Sequence, residues 1–341
     1  MQRFFLFCQY IISDIKSLEC WDVSNGQNFY GIFSGNVLSD IKPLEKWNVS
    51  NATNLGNFFG YGYFTDITPL KNWKVSKCKN FSSIFFMYEN LSDITPLKNW
   101  DVSNIKYLGG LFSGCTKLSD ISPLKNWNVS KCEQISSLFR KCENLTNITP
   151  LKNWDVSYCK NMAELFSGCK RLSDISPIKD WKVSKVEDFS SLFRKCENLL
   201  NITPLKNWNV SNCKSMCELF SGCKKLSDIS PLKNWNVSNV EDFSYMFCNC
   251  PFILDLKPLE NWNVSRSLKF SSMFAGLENL TDVSPLKNWN VEQCNFFDMM
   301  FTGCKSLKNK YILENWKFGR STHFESMFRE PDDNVEWNAF A

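Results

Sequence analysis

The stretch Leu232-Lys233-Asn234-Trp235-Asn236-Val237-Ser238 recurs almost unchanged along this 341-residue chain. Tryptophans stand at 21, 47, 73, 100, 127, 154, 181, 208, 235, 262, 289 and 316, spaced by 26 residues twice and then by 27 nine times. A fixed period of roughly 20–29 residues marks a solenoid, in which each repeat packs only on its neighbours. The unbroken period therefore overrides the expectation of about two or three globular domains that length alone would give.

Within one repeat, Trp208 to Lys233, two hydrophobic periods are superimposed. Trp208 and Val210 alternate with Asn209 and Ser211, the pattern of a short strand with one buried face. Met216, Leu219, Phe220 and Cys223 then fall at i, i+3, i+4 and i+7, the stripe of a short helix. Asp228-Ile229-Ser230-Pro231 closes the coil as a polar turn, with Pro fixing φ and Asp or Ser bonding the local backbone. The expected fold is an α/β repeat: a single right-handed solenoid of about 12 coils, each a short parallel strand plus a short helix.

Leu205-x-x-Trp208-x-Val210-x-x-Cys213 also fits the leucine-rich-repeat template, with Trp in the second apolar slot and Cys, Val or Ile in the Asn/Cys slot. The Trp-x-Val-Ser-Asn-x-x-x-Phe/Met-Ser-x-Met/Leu-Phe pattern resembles the BspA-type leucine-rich repeat of bacterial and protist surface proteins and large DNA viruses. The resemblance runs over about residues 5–328. It implies a leucine-rich-repeat solenoid and, for members on cell surfaces, adhesion to host matrix. The expected division is an incomplete N-terminal repeat at 1–20, the solenoid at 21–328 and a C-terminal cap at 329–341.

Sixteen cysteines invite a disulfide reading that their columns oppose. Cys115, Cys142, Cys169, Cys196, Cys223, Cys250 and Cys304 share one place in the repeat, and Cys78, Cys132, Cys159, Cys213 and Cys294 another. Ile105, Val186 and Val240 replace Cys in the second column, so the site wants a small buried apolar group and reduced thiols are expected. No ligand spacing for a metal appears. The single histidine, His323, has no partner spaced for catalysis, and no phosphate-binding or dinucleotide motif occurs. No enzyme activity and no cofactor are expected.

Asp14, Asp40, Asp66, Asp93, Asp120, Asp174, Asp228, Asp255 and Asp282 form a column in which Asn147, Asn201 and Asn309 substitute. Free exchange with Asn favours turn capping over calcium binding. Two further columns alternate in sign, Glu143, Lys170, Glu197, Lys224 and Glu133, Lys160, Glu187, Lys214, Glu241, as exposed pairs between stacked coils would.

One column does not alternate. Lys71, Lys98, Lys125, Lys152, Lys179, Lys206 and Lys233 lie two residues before successive tryptophans, resuming at Lys287, and Glu19, Glu45, Glu260 and Glu314 hold that place near the ends. Beside them run Asn99, Asn126, Asn153, Asn207 and Asn234. Such a row reads either as a basic, hydrogen-bonding stripe about 30 Å long for an acidic or repetitive partner, or as a solvated edge that blocks lateral strand pairing. A net charge of +4 is too small to indicate specific nucleic-acid binding, and no stretch is long enough for a membrane span. Phe4, Phe5, Leu6 and Phe7 leave an apolar half-repeat without a polar cap, a candidate interface with a protein partner or a second copy.

The expected function is a protein-interaction or structural scaffold, intracellular or virion-borne. The alternative is an exported surface adhesin. Sequons at Asn128, Asn209, Asn236 and Asn263 would place glycans on the outer face of a secreted chain, which favours the first.

Overall fold

The computed structural model describes residues 14–59, 62–309, 313–314, 316–319 and 322–328. Phe4, Phe5, Leu6 and Phe7 lie outside these, as does the segment 329–341 expected to form a cap. The chain winds as stacked coils, and a column of parallel bridges runs unbroken from Asn28 through Asn54, Asn80 and Tyr107 to Phe296 and His323.

The coil is not the strand plus helix that the hydrophobic pattern predicts. Among the described residues there is no α-helix; the complete helical elements are eleven three-residue 3-10 turns, from Lys16–Leu18 to Ser284–Leu286, with 313–314 also in 3-10 conformation. The bridge column lies seven residues beyond each Trp of the regular repeats, not at Trp-x-Val. The stretch read as a helix is a chain of tight turns stitched to the next coil. Ile135, Ser137, Phe139 and Lys141 N–H groups donate to Asn161, Ala163, Leu165 and Ser167 carbonyls, at 2.7–3.2 Å. Between them, Leu138, Arg140 and Cys142 donate to the carbonyl three residues back in their own coil. Backbone donors from Ser137 to Cys142 thus alternate between the neighbouring coil and the local turn, and are satisfied without a continuous helix.

This path requires left-handed backbone at two places per coil. Ser137 (φ 55°), Lys141 (φ 58°), Ser191 (φ 55°) and Lys195 (φ 54°) adopt it without being glycine. Such a conformation costs on the order of 1–2 kcal/mol per residue, offset here by the bonds from these same N–H groups to the next coil. At the second place the side chain alternates from coil to coil over Met87, Gly114, Lys141, Gly168, Lys195, Gly222, Asn249 and Gly276, and the alternation ends where Gly303 follows Gly276. A Cβ at Gly168 would stand 3.3 Å from Lys141 Cγ, and one at Gly222 3.3 Å from Lys195 Cγ. Each long side chain lies over the bare backbone of the following coil. That is a steric reason for the two-coil, 54-residue similarity between residues 137–190 and 191–244, beside the alternating charges.

The interior is built of ladders. From Trp47 to Trp316 each indole N–H donates to the carbonyl of the Leu or Ile that ends the preceding coil's 3-10 turn, at 2.9–3.3 Å. These indoles are buried, and each closes the coil and staples it to the one before. Trp21, in the first described coil, is 40% exposed. A second ladder stacks Phe85, Phe112, Phe139, Phe166, Phe193, Phe220, Phe247, Phe274, Phe301 and Phe328, centroids 5.4–6.1 Å apart and planes within 15°.

Cysteine forms a third. Cys142 Sγ donates to Phe112 O at 3.2 Å and Cys169 Sγ to Phe139 O at 3.1 Å, and the column repeats this geometry from Cys115 to Cys304. A thiol therefore serves as a weak donor to an interior carbonyl, which a disulfide could not do. No disulfide joins two described cysteines. Burial pushes the thiols of Cys132, Cys159 and Cys213 up to about 12, away from the reactive thiolate.

Candidate interaction surface

The lysine column sits at the corner made by the 3-10 turns. Asp120 Oδ1 accepts the backbone N–H of Ser122 at 2.8 Å and so opens the turn Ser122–Leu124. Pro123 occupies its first residues, Leu124 is buried, and Lys125 is the C-cap, with φ −53° and its N–H returned to Ser122 O. The same arrangement places Lys71, Lys98, Lys152, Lys179, Lys206 and Lys233. In every coil from Asp14 to Asp282 the Asp or Asn of the capping column accepts the N–H two residues on. The column is thus committed to turns, as its exchange with Asn indicates. The hydroxyls of Thr68 and Ser284, with that backbone bond behind them, hold the carboxyls of Asp66 and Asp282 below the ordinary range.

All seven lysines are exposed, and so are Asn99, Asn126, Asn153, Asn207 and Asn234. None of these twelve side chains makes a hydrogen bond or ion pair with another described residue. The neighbouring charge columns behave differently. Lys106 pairs with Glu133 at 2.7 Å, Lys170 with Glu143 at 2.8 Å, Lys214 with Glu187 at 2.6 Å and Lys224 with Glu197 at 3.3 Å, each across one coil boundary. The ion pair holds Glu187 low and Lys214 high, the hydrogen bond between them being the main cause. Arg140–Glu164 and Arg194–Glu218 add pairs on the left-handed shelf that the sequence reading did not single out. The sequence does carry a sign of them, since Arg140 and Arg194 occur in every second coil, each next to a lysine in left-handed backbone.

Asn residues elsewhere are also employed. Asn128 Oδ1 accepts the Ser130 N–H at 3.1 Å, Asn161 Oδ1 that of Ala163 at 2.9 Å, and Asn212 donates to Ser184 O at 2.7 Å. The corner therefore presents seven like charges flanked by amides, none of them engaged by the fold. Where Asp180 replaces Asn in that flank, a shallow depression is lined by Lys179, Asp180, Asn201, Thr203, Pro204 and Asn207. Among the described residues no group of three or more His, Cys, Asp and Glu could hold a metal, and no helix is long and apolar enough to cross a membrane.

Fold and surface together define a repeat solenoid that offers a periodic polar face. The chain belongs to the DUF285 family, described as Mycoplasma protein of unknown function, whose profile matches residues 1–120, 62–176, 173–257 and 230–338. Comparison with curated proteins gives no match. Similar solved structures are leucine-rich-repeat proteins. One from Bacteroides ovatus is 16% identical, with 75% of this chain and 72% of that one covered and a TM-score of 0.35. The functional domain of InlJ from Listeria monocytogenes, which includes a cysteine ladder, is 12% identical over 86% of this chain and 62% of that one, with a TM-score of 0.21. A leucine-rich-repeat protein of Leptospira interrogans is 10% identical over 83% and 81%, with a TM-score of 0.25.

Proposed function

We propose that the protein is a non-enzymatic interaction scaffold that meets its partner along the lysine–asparagine corner. The observation that carries this reading is the contrast between columns. The alternating columns form ion pairs across several coil boundaries and the aspartate column caps turns, whereas all seven lysines and their flanking amides are left unengaged. Like charges one coil apart, about 4.8 Å, lie well within the screening length of about 8 Å at physiological salt. They repel one another, and an anionic partner relieves that repulsion. The solenoid is read as right-handed, of about twelve coils, with 21–328 as its body and 1–20 and 329–341 as its ends, and as BspA-like within the leucine-rich repeats.

The bonds from buried thiols to interior carbonyls support a reducing setting, inside a cell or in a virion-borne assembly. An exported adhesin is the second reading, supported by the surface proteins that carry BspA-type repeats. Denatured without reductant, the intact protein should titrate close to sixteen thiols in the first case and far fewer in the second. The docking face is tested with soluble polyanions: poly-glutamate, heparin and an oligonucleotide. Binding at low salt by at least one of them, lost in the triple variant Lys125→Glu, Lys152→Glu, Lys179→Glu, supports the corner. Absence of binding by all three, or binding that the variant keeps, rejects it.

A further inference from the structure

Resting on that reading of the corner, we infer that its partner is an extended acidic segment of a protein, about nine residues long. The lysine block is finite. Its place at the C-cap passes to Glu45 on one side and to Glu260 on the other, with the same backbone (φ −57° and −52°), before lysine returns one coil later at Lys287. A long polyanion lying along the solenoid would meet Glu45 at one end and Glu260 at the other and be repelled there, although Glu19 beyond Glu45 is paired with Lys46 and lysine returns at Lys287 beyond Glu260. A ligand whose negative charge is confined to a short stretch would not.

Length follows from the coil spacing. Seven lysines define six intervals of about 4.8 Å, so the block is about 29 Å long, the reach of about nine extended residues at roughly 3.3 Å each.

The amides indicate what carries the charge. Each Asn offers a donor and an acceptor side by side, the complement of the N–H and C=O that one residue of an extended chain turns to the same side. Asn99, Asn126, Asn153, Asn207 and Asn234 repeat that pair along the lysine row. Nucleobases are instead held by stacking on aromatic rings. The exposed aromatics over this part of the chain, Tyr107 and Tyr158, belong to the bridge column and to a place four residues after a Trp, not to the corner. The corner can bind carboxylates and peptide groups and has nothing on which to stack a base.

The test is fluorescence anisotropy at low salt with three labelled probes: a nine-residue Glu-rich peptide, a nine-nucleotide thymidine strand and a heparin oligosaccharide of similar length. A fourth probe is the same peptide N-methylated at alternate residues, which keeps the charge and removes backbone donors. We expect the acidic peptide to bind best. Its affinity should fall at least tenfold in Lys125→Gln, Lys152→Gln, Lys179→Gln, and several-fold either on N-methylation or in Asn126→Ala, Asn153→Ala. Far-ultraviolet dichroism checks that the variants stay folded. Corner-dependent binding of the nucleotide or heparin in preference to the peptide overturns the peptide assignment and leaves the corner as the docking face. Peptide binding indifferent to both N-methylation and the Asn variants overturns it as well. Failure of every probe to bind defeats the corner reading itself.

Discussion

The coils around residues 28–88 and those around 112–247 share one backbone path but fill it differently. In the later coils one column holds Cys115, Cys142, Cys169, Cys196, Cys223 and Cys250; in the earlier ones the same place holds Asn36, Gly62 and Tyr88. The later rings lie parallel, as Phe139 on Phe166 at 6°. The earlier ones also meet edge to face: Phe33 with Phe58 at 67°, Phe58 with Phe59 at 74° and Phe59 with Phe64 at 76°. Phe58 stands where later coils have Leu, and Ala52 where they have Cys, Val or Ile. A glycine and a tyrosine in adjacent coils replace two thiols, so volume is conserved over the pair rather than at each site. The fold asks for a filled interior at each step of the period, and two chemistries supply it.

The broadest way to sharpen this comparison is alkaline pH. Burial raises the thiols of Cys132, Cys159 and Cys213 from an ordinary 9.0 to about 12. A group whose folded value is raised contributes stability that is complete below its unfolded value and is lost as pH climbs towards the folded one. The thiol-rich coils should therefore loosen between about pH 9 and 12, while the aromatic coils, which hold only Cys78 as a buried thiol, should respond less. Hydrogen exchange followed by mass spectrometry should show residues 132–223 opening first; uniform opening would contradict the difference. Substitution of one rung comes next. Phe166→Ala removes the ring between Phe139 and Phe193 and should cost about 3–5 kcal/mol in urea unfolding, since stacked coils hold the gap open. A cost under about 1 kcal/mol would mean that the ladder collapses around the loss.

The smallest of the three tests the early coils. A Cβ at Gly62 would collide with the Tyr88 hydroxyl, so Gly62→Ala should cost about 1–3 kcal/mol. Tyr88 is 1% exposed and its Oη has no hydrogen-bond partner among the described residues, and burial holds its ionisation above the ordinary range. Adding Tyr88→Phe removes the colliding atom and an unsatisfied polar group, and should restore most of the loss. Failure of the double variant to recover would place the strain elsewhere.

The period, the burial of the tryptophans from Trp47 onward and the turn-capping of the aspartates were legible in the residues, because each depends on one local preference repeated many times. The helix was not. Met216, Leu219, Phe220 and Cys223 point inward at helical spacing, yet Glu218 and Gly222 between them have φ of 56° and 71°, which turns the chain after each inward group. An apolar stripe records which side chains face the core and says nothing of where the backbone N–H groups go. The trace of the actual path was the glycine in every second coil, at 114, 168 and 222. The strand went wrong for a related reason: Trp and Val alternate because both are buried, while the pairing between coils falls later, at Gln134, Asn161 and Asp188, where polar residues gave no apolar pattern to read. For the interaction corner, the lysine row was visible as composition. Its freedom from ion pairs was not, because pairing depends on which columns lie next to one another across a coil boundary.

The alternation of long side chain and glycine on the left-handed shelf sets the step in which such a molecule can change length. Deleting the coil of Gly168 would set Lys141 directly against Lys195, two long side chains and two like charges competing for one bare backbone. Deleting the coil of Lys141 would set Gly114 beside Gly168 and leave a trough. Removing or adding 54 residues between residues 87 and 276 keeps long side chain over glycine at each step of the shelf. The solenoid is therefore a ruler graduated in double coils, about 10 Å to the mark, and relatives that differ in reach should differ by whole marks.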